Sequence, residues 1–209
     1  MTFGELEIAY DERVLAPRRW TEMQAGWAAE ILAGAPPGPV LELGCGAGQI
    51  GLLALHRAGD ATRRLVCVDE SEAACAFVRC NAQAAGLAER VEVRRQDLGD
   101  VAASEERYAV VVADPPWVPS DETDQHPDDP PGAIDGGPDG LDAARVFVRV
   151  GATHLLPGGS ILLQLGSRAQ AAALDAELAD EPESARVVEV REGEGGVVAC
   201  LRPAATSGR

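Results

Sequence analysis

The chain has 209 residues and a formal net charge of −16, and every basic side chain is arginine, with no lysine anywhere. The length suits one domain with a single core that needs no disulfide or metal staple. The missing lysine excludes a Schiff base to pyridoxal phosphate and a Gly-x-x-x-x-Gly-Lys phosphate loop, and the acidity repels a phosphate backbone unless a local arginine patch or a basic partner offsets it.

In chain order, the opening segment Met1 to Tyr10 is mixed and acidic, with no basic region followed by an apolar run. Trp20 to Ala33 reads as a helix and Gly34 to Pro39 as a turn into the first strand, Val40 to Leu43. Further strands are predicted at Leu65 to Asp69, Val91 to Arg95, Tyr108 to Ala113 and Ile161 to Leu165, several of them apolar without alternation, as strands buried on both faces are. Ser71 can cap a helix whose Cys75, Val78, Ala82 and Ala85 share one face, with Gly86 placed to end it. Val118 to Asp135 mixes acids with prolines and is expected to be a long structureless loop over the site. A second helix is expected from about Asp139, with Leu141, Ala144, Val148, Ala152 and Leu155 on one face, stopping at Pro157-Gly158-Gly159. Arg186 to Val190 and Val197 to Leu201 are joined too closely for a helical crossover, so they must pair antiparallel.

Alternating strands and helices predict an α/β, Rossmann-like fold: a mostly parallel seven-stranded sheet with an antiparallel C-terminal strand and helices on both faces. One domain is expected over 1–209, with an N-terminal segment and helix at 1–38, the core at 39–209 and an acidic substrate loop at 118–138. No run approaches 18 apolar residues, so no membrane span and a cytoplasmic chain are expected. Cys45, Cys67, Cys75, Cys80 and Cys200 are odd in number and form no Cys-x-x-Cys pair, which fits reduced, buried thiols and no metal site. His56 and His154 read as surface or packing residues.

The first strand runs into Glu42-Leu43-Gly44-Cys45-Gly46-Ala47-Gly48, whose glycines let backbone turn sharply and approach a ligand at a helix start. Asp69 ends the second strand, where a carboxylate can accept both ribose hydroxyls of an adenosine, and Asp97 after the third is placed for an adenine amino group. The loop alone also satisfies Gly-x-Gly-x-x-Gly over Gly46 to Gly51, so a nicotinamide oxidoreductase remains an alternative. The fourth strand delivers Asp114-Pro115-Pro116-Trp117 to the carboxyl end of the sheet. The tetrapeptide resembles one used by methyltransferases of planar nitrogens, which implies that the Asp114 carboxylate and the Pro115 carbonyl each accept one N–H while Trp117 stacks on the acceptor. Positioning two reactants in this way is worth up to about 7–11 kcal/mol.

The Asp-Pro-Pro-Trp tetrapeptide resembles the signature of methyltransferases acting on amide or exocyclic amino nitrogens. Pro17-Arg18-Arg19-Trp20-Thr21-Glu22, Gly136-Gly137-Pro138-Asp139-Gly140-Leu141 and Leu156-Pro157-Gly158-Gly159 extend the likeness over nearly the whole chain. On these segments the chain resembles the catalytic domain of the HemK-like (PrmC-like) release-factor glutamine methyltransferases, of the class I S-adenosylmethionine-dependent kind. The resemblance implies S-adenosylmethionine as cofactor and methyl transfer to a planar nitrogen, a glutamine side-chain amide of a release factor. It makes Asp114, Pro115, Pro116 and Trp117 the catalytic candidates and Arg18, Thr21, Glu42, Gly44, Cys45, Gly46, Asp69, Glu70, Asp97 and Leu98 the cofactor-binding candidates. The sequence departs from the family in carrying Asp114 for asparagine and Trp117 for tyrosine. Asp-Pro-Pro-Trp also resembles adenine-N6 RNA methyltransferases, so an rRNA or tRNA base N-methyltransferase, a small-molecule methyltransferase and a non-catalytic cofactor-binding partner stay open. The acidity favours a protein or small-molecule acceptor over free nucleic acid.

Overall fold

A seven-stranded sheet organises the computed structural model, which describes residues 1–181 and 185–204. A short hairpin, β1 (Thr2–Phe3) and β2 (Leu6–Glu7), precedes α1 (Glu22–Leu32). The sheet then begins with β3 (Val40–Leu43), α2 (Gln49–Arg57), β4 (Leu65–Asp69), α3 (Glu72–Ala84), β5 (Val91–Arg95), α4 (Leu98–Ala102) and β6 (Tyr108–Ala113). It continues through α5 (Pro131–Ile134), α6 (Asp142–Thr153), β7 (Leu155–Leu165), α7 (Arg168–Leu178), β8 (Ala185–Gly193) and β9 (Gly196–Pro203).

The strand order is β5-β4-β3-β6-β7-β9-β8. Pairings from β5 to β7 are parallel, and β9 runs antiparallel to both of its neighbours. The reversed C-terminal strand is therefore internal, with β8 at the edge. Side chains alternate between two layers, as the pleat requires. Val40, Val110 and Val112 pack with α1, α2 and α3, whereas Leu41, Leu43 and Val111 pack with α4, α6 and α7. Both faces are covered, which explains why β3 and β6 are buried at every position and read as unbroken apolar runs. Each fully buried leucine or valine contributes about 1.5–3 kcal/mol of transfer free energy.

Local chemistry sets the element ends. Ser71 accepts from the Ala74 N–H and caps α3, as its position predicts. The α1 helix starts at Glu22, later than expected, because Arg19–Thr21 forms a 3-10 turn. The α6 helix starts at Asp142, since Gly140 (φ +73°) cannot continue a right-handed helix. Leu155 belongs to β7, and the strand extends ahead of Ile161 because its pairing with β6 shifts between Tyr108↔Leu155 and Val110↔Ser160.

Three other expectations change. The 118–138 segment is not structureless: it holds a 3-10 turn over Ser120–Gln125 and the short α5, and Val118 bridges Asp135 at its neck. All five cysteines are free thiols, yet Cys80 is exposed. His154 packs in the interior, whereas His56 is exposed. No helix among the described residues is long and apolar enough to cross a membrane.

Candidate active site

The chain moves outward from β3 to β4 and β5, then returns to β6 on the other side of β3. Between β3 and β6 the sheet opens a crevice at the carboxyl ends of its strands, the place where open α/β sheets take ligands. Leu43 pairs with Ala113 across this switch point, so the glycine loop and Asp114 emerge side by side.

Gly44 (φ +62°) and Gly46 (φ +52°) adopt the left-handed turn that a residue with Cβ resists. The loop is pinned at several points. Cys45 N–H donates to the Val68 carbonyl over 3.1 Å and Gly48 N–H to the Cys45 carbonyl over 2.7 Å. Buried Asn81 donates to the Ala47 carbonyl over 2.9 Å and to the Ala9 carbonyl over 3.0 Å, which ties the chain's opening segment to the loop.

Three cavities meet here. The first, about 440 Å³, is lined by Gly44, Gly46, Asp69, Glu70, Asp97 and Leu98, with Phe147 from α6. The Asp69 oxygens accept the Gly46 and Ser71 N–H groups, each over 2.9 Å, which aims the carboxylate and leaves each oxygen a further lone pair. Asp97 caps α4 by accepting the Asp100 N–H over 2.8 Å through Oδ1, leaving Oδ2 outside that bond.

The second cavity, about 310 Å³, is lined by Asp114, Pro115, Pro116 and Trp117 together with Trp20 and, from the acidic segment, His126 and Asp129. The third, a small annex of about 60 Å³, takes Arg18, Glu42, Cys45, Gln49 and Asp114. Leu15 and Asp114 are common to all three cavities.

Burial pushes the Asp114 carboxyl up to about 7, against the opposing pull of the Arg18 charge and a hydrogen bond from Trp117. Glu42 is likewise pushed up to about 7 by burial, although it accepts the Gly51 N–H over 3.1 Å. Trp117 is seated from behind: Gln170 Nε2 donates to its carbonyl over 2.9 Å, and a side chain at Gly140 or Gly166 would run into its backbone or ring. Gly140 thus packs on the Trp117 backbone, and Gly166 packs on its indole.

One sequence candidate falls away. Thr21 lies off all three cavities, fully buried, with Oγ1 donating to the Arg18 carbonyl over 2.8 Å, so it braces the turn that presents Arg18. The remaining candidates gather around the crevice. Sequence reasoning did not single out Leu15, Gln49, Phe147 and Asp129, which reach it from separate elements. No cluster of three or more His, Cys, Asp or Glu among the described residues could hold a metal ion.

Residues 28–127 match the methyltransferase small domain. The chain is 31% identical over 166 residues to a release factor glutamine methyltransferase of Gloeobacter violaceus, covering 77% of this chain and 57% of that protein. It is 32% identical over 173 residues to a ribosomal protein uL3 glutamine methyltransferase of Bradyrhizobium diazoefficiens, covering 77% of this chain and 53% of that protein. The chain therefore spans somewhat over half the length of these relatives. Its fold is similar to that of a ribosomal protein L11 methylase from Lactobacillus delbrueckii subsp. bulgaricus, with a TM-score of 0.63 and 14% identity over 94% of this chain and 84% of that one.

Proposed function

We propose that this chain, which has the class I S-adenosylmethionine-dependent methyltransferase fold and resembles the release-factor glutamine methyltransferases, transfers a methyl group from S-adenosylmethionine to a planar nitrogen. The observation that carries the reading is that Asp114 stands at the junction of the crevice: it lines the cavity over the glycine loop and also the one walled by Pro115 and Trp117. A donor and an acceptor bound in the two cavities would meet at that carboxylate.

The donor set fits the cofactor. Asp69 offers a pre-aimed carboxylate to two vicinal hydroxyls, and Gly44 and Gly46 line the cavity without a Cβ, so backbone can approach a bound group closely. Asp97 and Leu98 stand at the cavity edge to receive an adenine, with Glu70 beside Asp69. Arg18, Glu42 and Cys45 surround the annex, where an amino-acid tail would end. When bound, the cofactor supplies an electrophilic sulfonium methyl.

On the acceptor side, the Asp114 carboxylate and the Pro115 carbonyl each accept one N–H and aim the nitrogen lone pair across the crevice. Trp117 stacks on the planar group, and Pro116, with no N–H of its own, offers no competing donor. In its ionised form Asp114 accepts hydrogen bonds only, and it can take the proton released when the nitrogen is methylated. Val118, His126, Asp129 and Ile134 of the acidic 118–138 segment line the acceptor cavity and would contact a bound acceptor.

The glutamine methyltransferase relatives favour a side-chain amide of a protein as acceptor. A basic loop of a release factor or ribosomal protein suits a chain of net charge −16, and free nucleic acid suits it poorly. The test is Asp114→Ala: methyl transfer to a glutamine-bearing release-factor fragment should disappear, while S-adenosylhomocysteine affinity by calorimetry stays within about tenfold of wild type. Transfer at the wild-type rate would overturn the assignment.

A further inference from the structure

Three buried side-chain oxygens among the described residues have no hydrogen-bond partner: Oε1 of Gln24, Gln49 and Gln164. Two of them are by-products of a job done by the amide nitrogen. Gln24 Nε2 donates to the Ala113 and Leu162 carbonyls, and Gln164 Nε2 donates to the Leu165 and Gly195 carbonyls. In both cases the nitrogen cross-links backbone, and the spare oxygen is left in packed protein.

Gln49 differs, because it lines the 60 Å³ annex beside the glycine loop. An unpaired buried acceptor costs about 1–3 kcal/mol, a penalty that a ligand N–H would remove. The annex walls indicate which ligand group that is. Glu42 and Asp114 contribute carboxyl groups and Arg18 a guanidinium, so the annex suits a zwitterion bearing both an ammonium and a carboxylate. It joins the larger cavity at Leu15, Gly44, Gly46 and Asp114, and its lining does not include Asp69 or Asp97 of the nucleoside end. A ligand with adenosine at one end and an α-amino acid at the other would place its ammonium in the annex.

We propose that Gln49 reads the amino-acid tail of the cofactor, its Oε1 accepting an N–H from the tail's ammonium. The inference rests on the cofactor reading above and adds a positioning residue that distinguishes the complete cofactor from its truncated nucleoside. Carboxyl groups alone would attract any cation, whereas a neutral amide oxygen beside them adds a directional acceptor that does not itself titrate. The arginine opposite excludes a bare amine, since its own charge calls for the tail's carboxylate.

Isothermal titration calorimetry with S-adenosylhomocysteine and with 5′-methylthioadenosine, which lacks the amino-acid tail, separates the possibilities. Gln49→Leu should weaken S-adenosylhomocysteine about tenfold and leave 5′-methylthioadenosine unchanged. Gln49→Glu, which keeps an acceptor, should hold S-adenosylhomocysteine within about threefold of wild type or tighten it. Equal losses for both ligands in Gln49→Leu would mean that the side chain only shapes the loop, and no loss would mean that water serves the oxygen equally well. Either result overturns the proposal while leaving the cofactor reading intact. Failure of the wild-type protein to bind S-adenosylhomocysteine at all would overturn the cofactor reading and this inference with it.

Discussion

Arg18 Nη2 donates to Asp129 Oδ1, joining the segment ahead of α1 to the acidic segment 111 residues further along the chain. The side chains are 30% and 16% exposed, so the pair is screened less than a surface ion pair and restrains the segment that lines the acceptor cavity. Asp129→Asn should raise amide hydrogen exchange across 118–135 severalfold while changing global stability by less than about 1 kcal/mol. Unchanged exchange would show that the neck contacts, Val118 N–H to the Ile134 carbonyl and Gly136 N–H to the Val118 carbonyl, hold the segment unaided.

Acceptor methylation should depend on pH through Asp114. Its carboxyl is pushed up to about 7 by burial, and the ionised form is the one that accepts both hydrogen bonds and protons. The single-turnover rate is expected to climb as pH rises through about 7 and then level off, and Asp114→Asn should give a low, flat profile. A wild-type profile with no inflection between pH 6 and 8 would remove the carboxylate from the rate-limiting step.

Glu42 makes the corresponding statement about stability. Burial pushes its carboxyl from 4.5 up to about 7, so the folded chain holds a proton that the unfolded chain releases between those values. Its contribution to stability therefore falls as pH rises through that window and stays low above it. Glu42→Gln keeps an acceptor for the Gly51 N–H and removes the charge, so at pH 8 it should stabilise the ligand-free protein by roughly 2 kcal/mol, a gain that fades by pH 5. Glu42→Ala leaves that N–H unpaired and should destabilise at both pH values. Thermal melts of the three proteins at pH 5 and 8 decide the matter.

Gln24 clamps the tip of the catalytic strand from the opposite layer. It is fully buried, and its Nε2 donates to the Ala113 carbonyl over 2.9 Å and the Leu162 carbonyl over 3.0 Å. Ala113 immediately precedes Asp114. Gln24→Leu should cost about 1–3 kcal/mol in stability and lower kcat severalfold, with S-adenosylhomocysteine affinity preserved. A loss of stability with kcat intact would confine the clamp to folding.

The architecture and much of the crevice are legible in the sequence because they rest on local rules. Val40 to Leu43 and Tyr108 to Ala113 declare two-sided burial by composition, and the segments that follow them, Gly44 to Gly48 and Asp114 to Trp117, must then lie at the same end of a parallel sheet. Distant pairings leave no such trace. Nothing near Arg18 points to Asp129, and nothing near Gln49 marks its oxygen as buried, since each depends on elements that meet only when the chain is folded. Thr21 reads as a site residue from its place in the Pro17 to Glu22 segment, but its hydroxyl turns back to the Arg18 carbonyl. The order in 118–138 was hidden because acids and prolines describe a solvated loop equally well, whereas the Val118–Asp135 bridge is a long-range contact.

The internal position of β9 bears on how the chain leaves the ribosome. It is the last strand to be synthesised among the described residues, yet it fills the slot between β7 and β8, so both neighbours must wait for it with backbone donors and acceptors unpaired. A nascent chain stalled or clipped before Gly196 would present the raw margin of β7 and a β8 with no strand to pair with, and should be held by chaperones or aggregate, even though Asp69, Asp114 and Trp117 are already made.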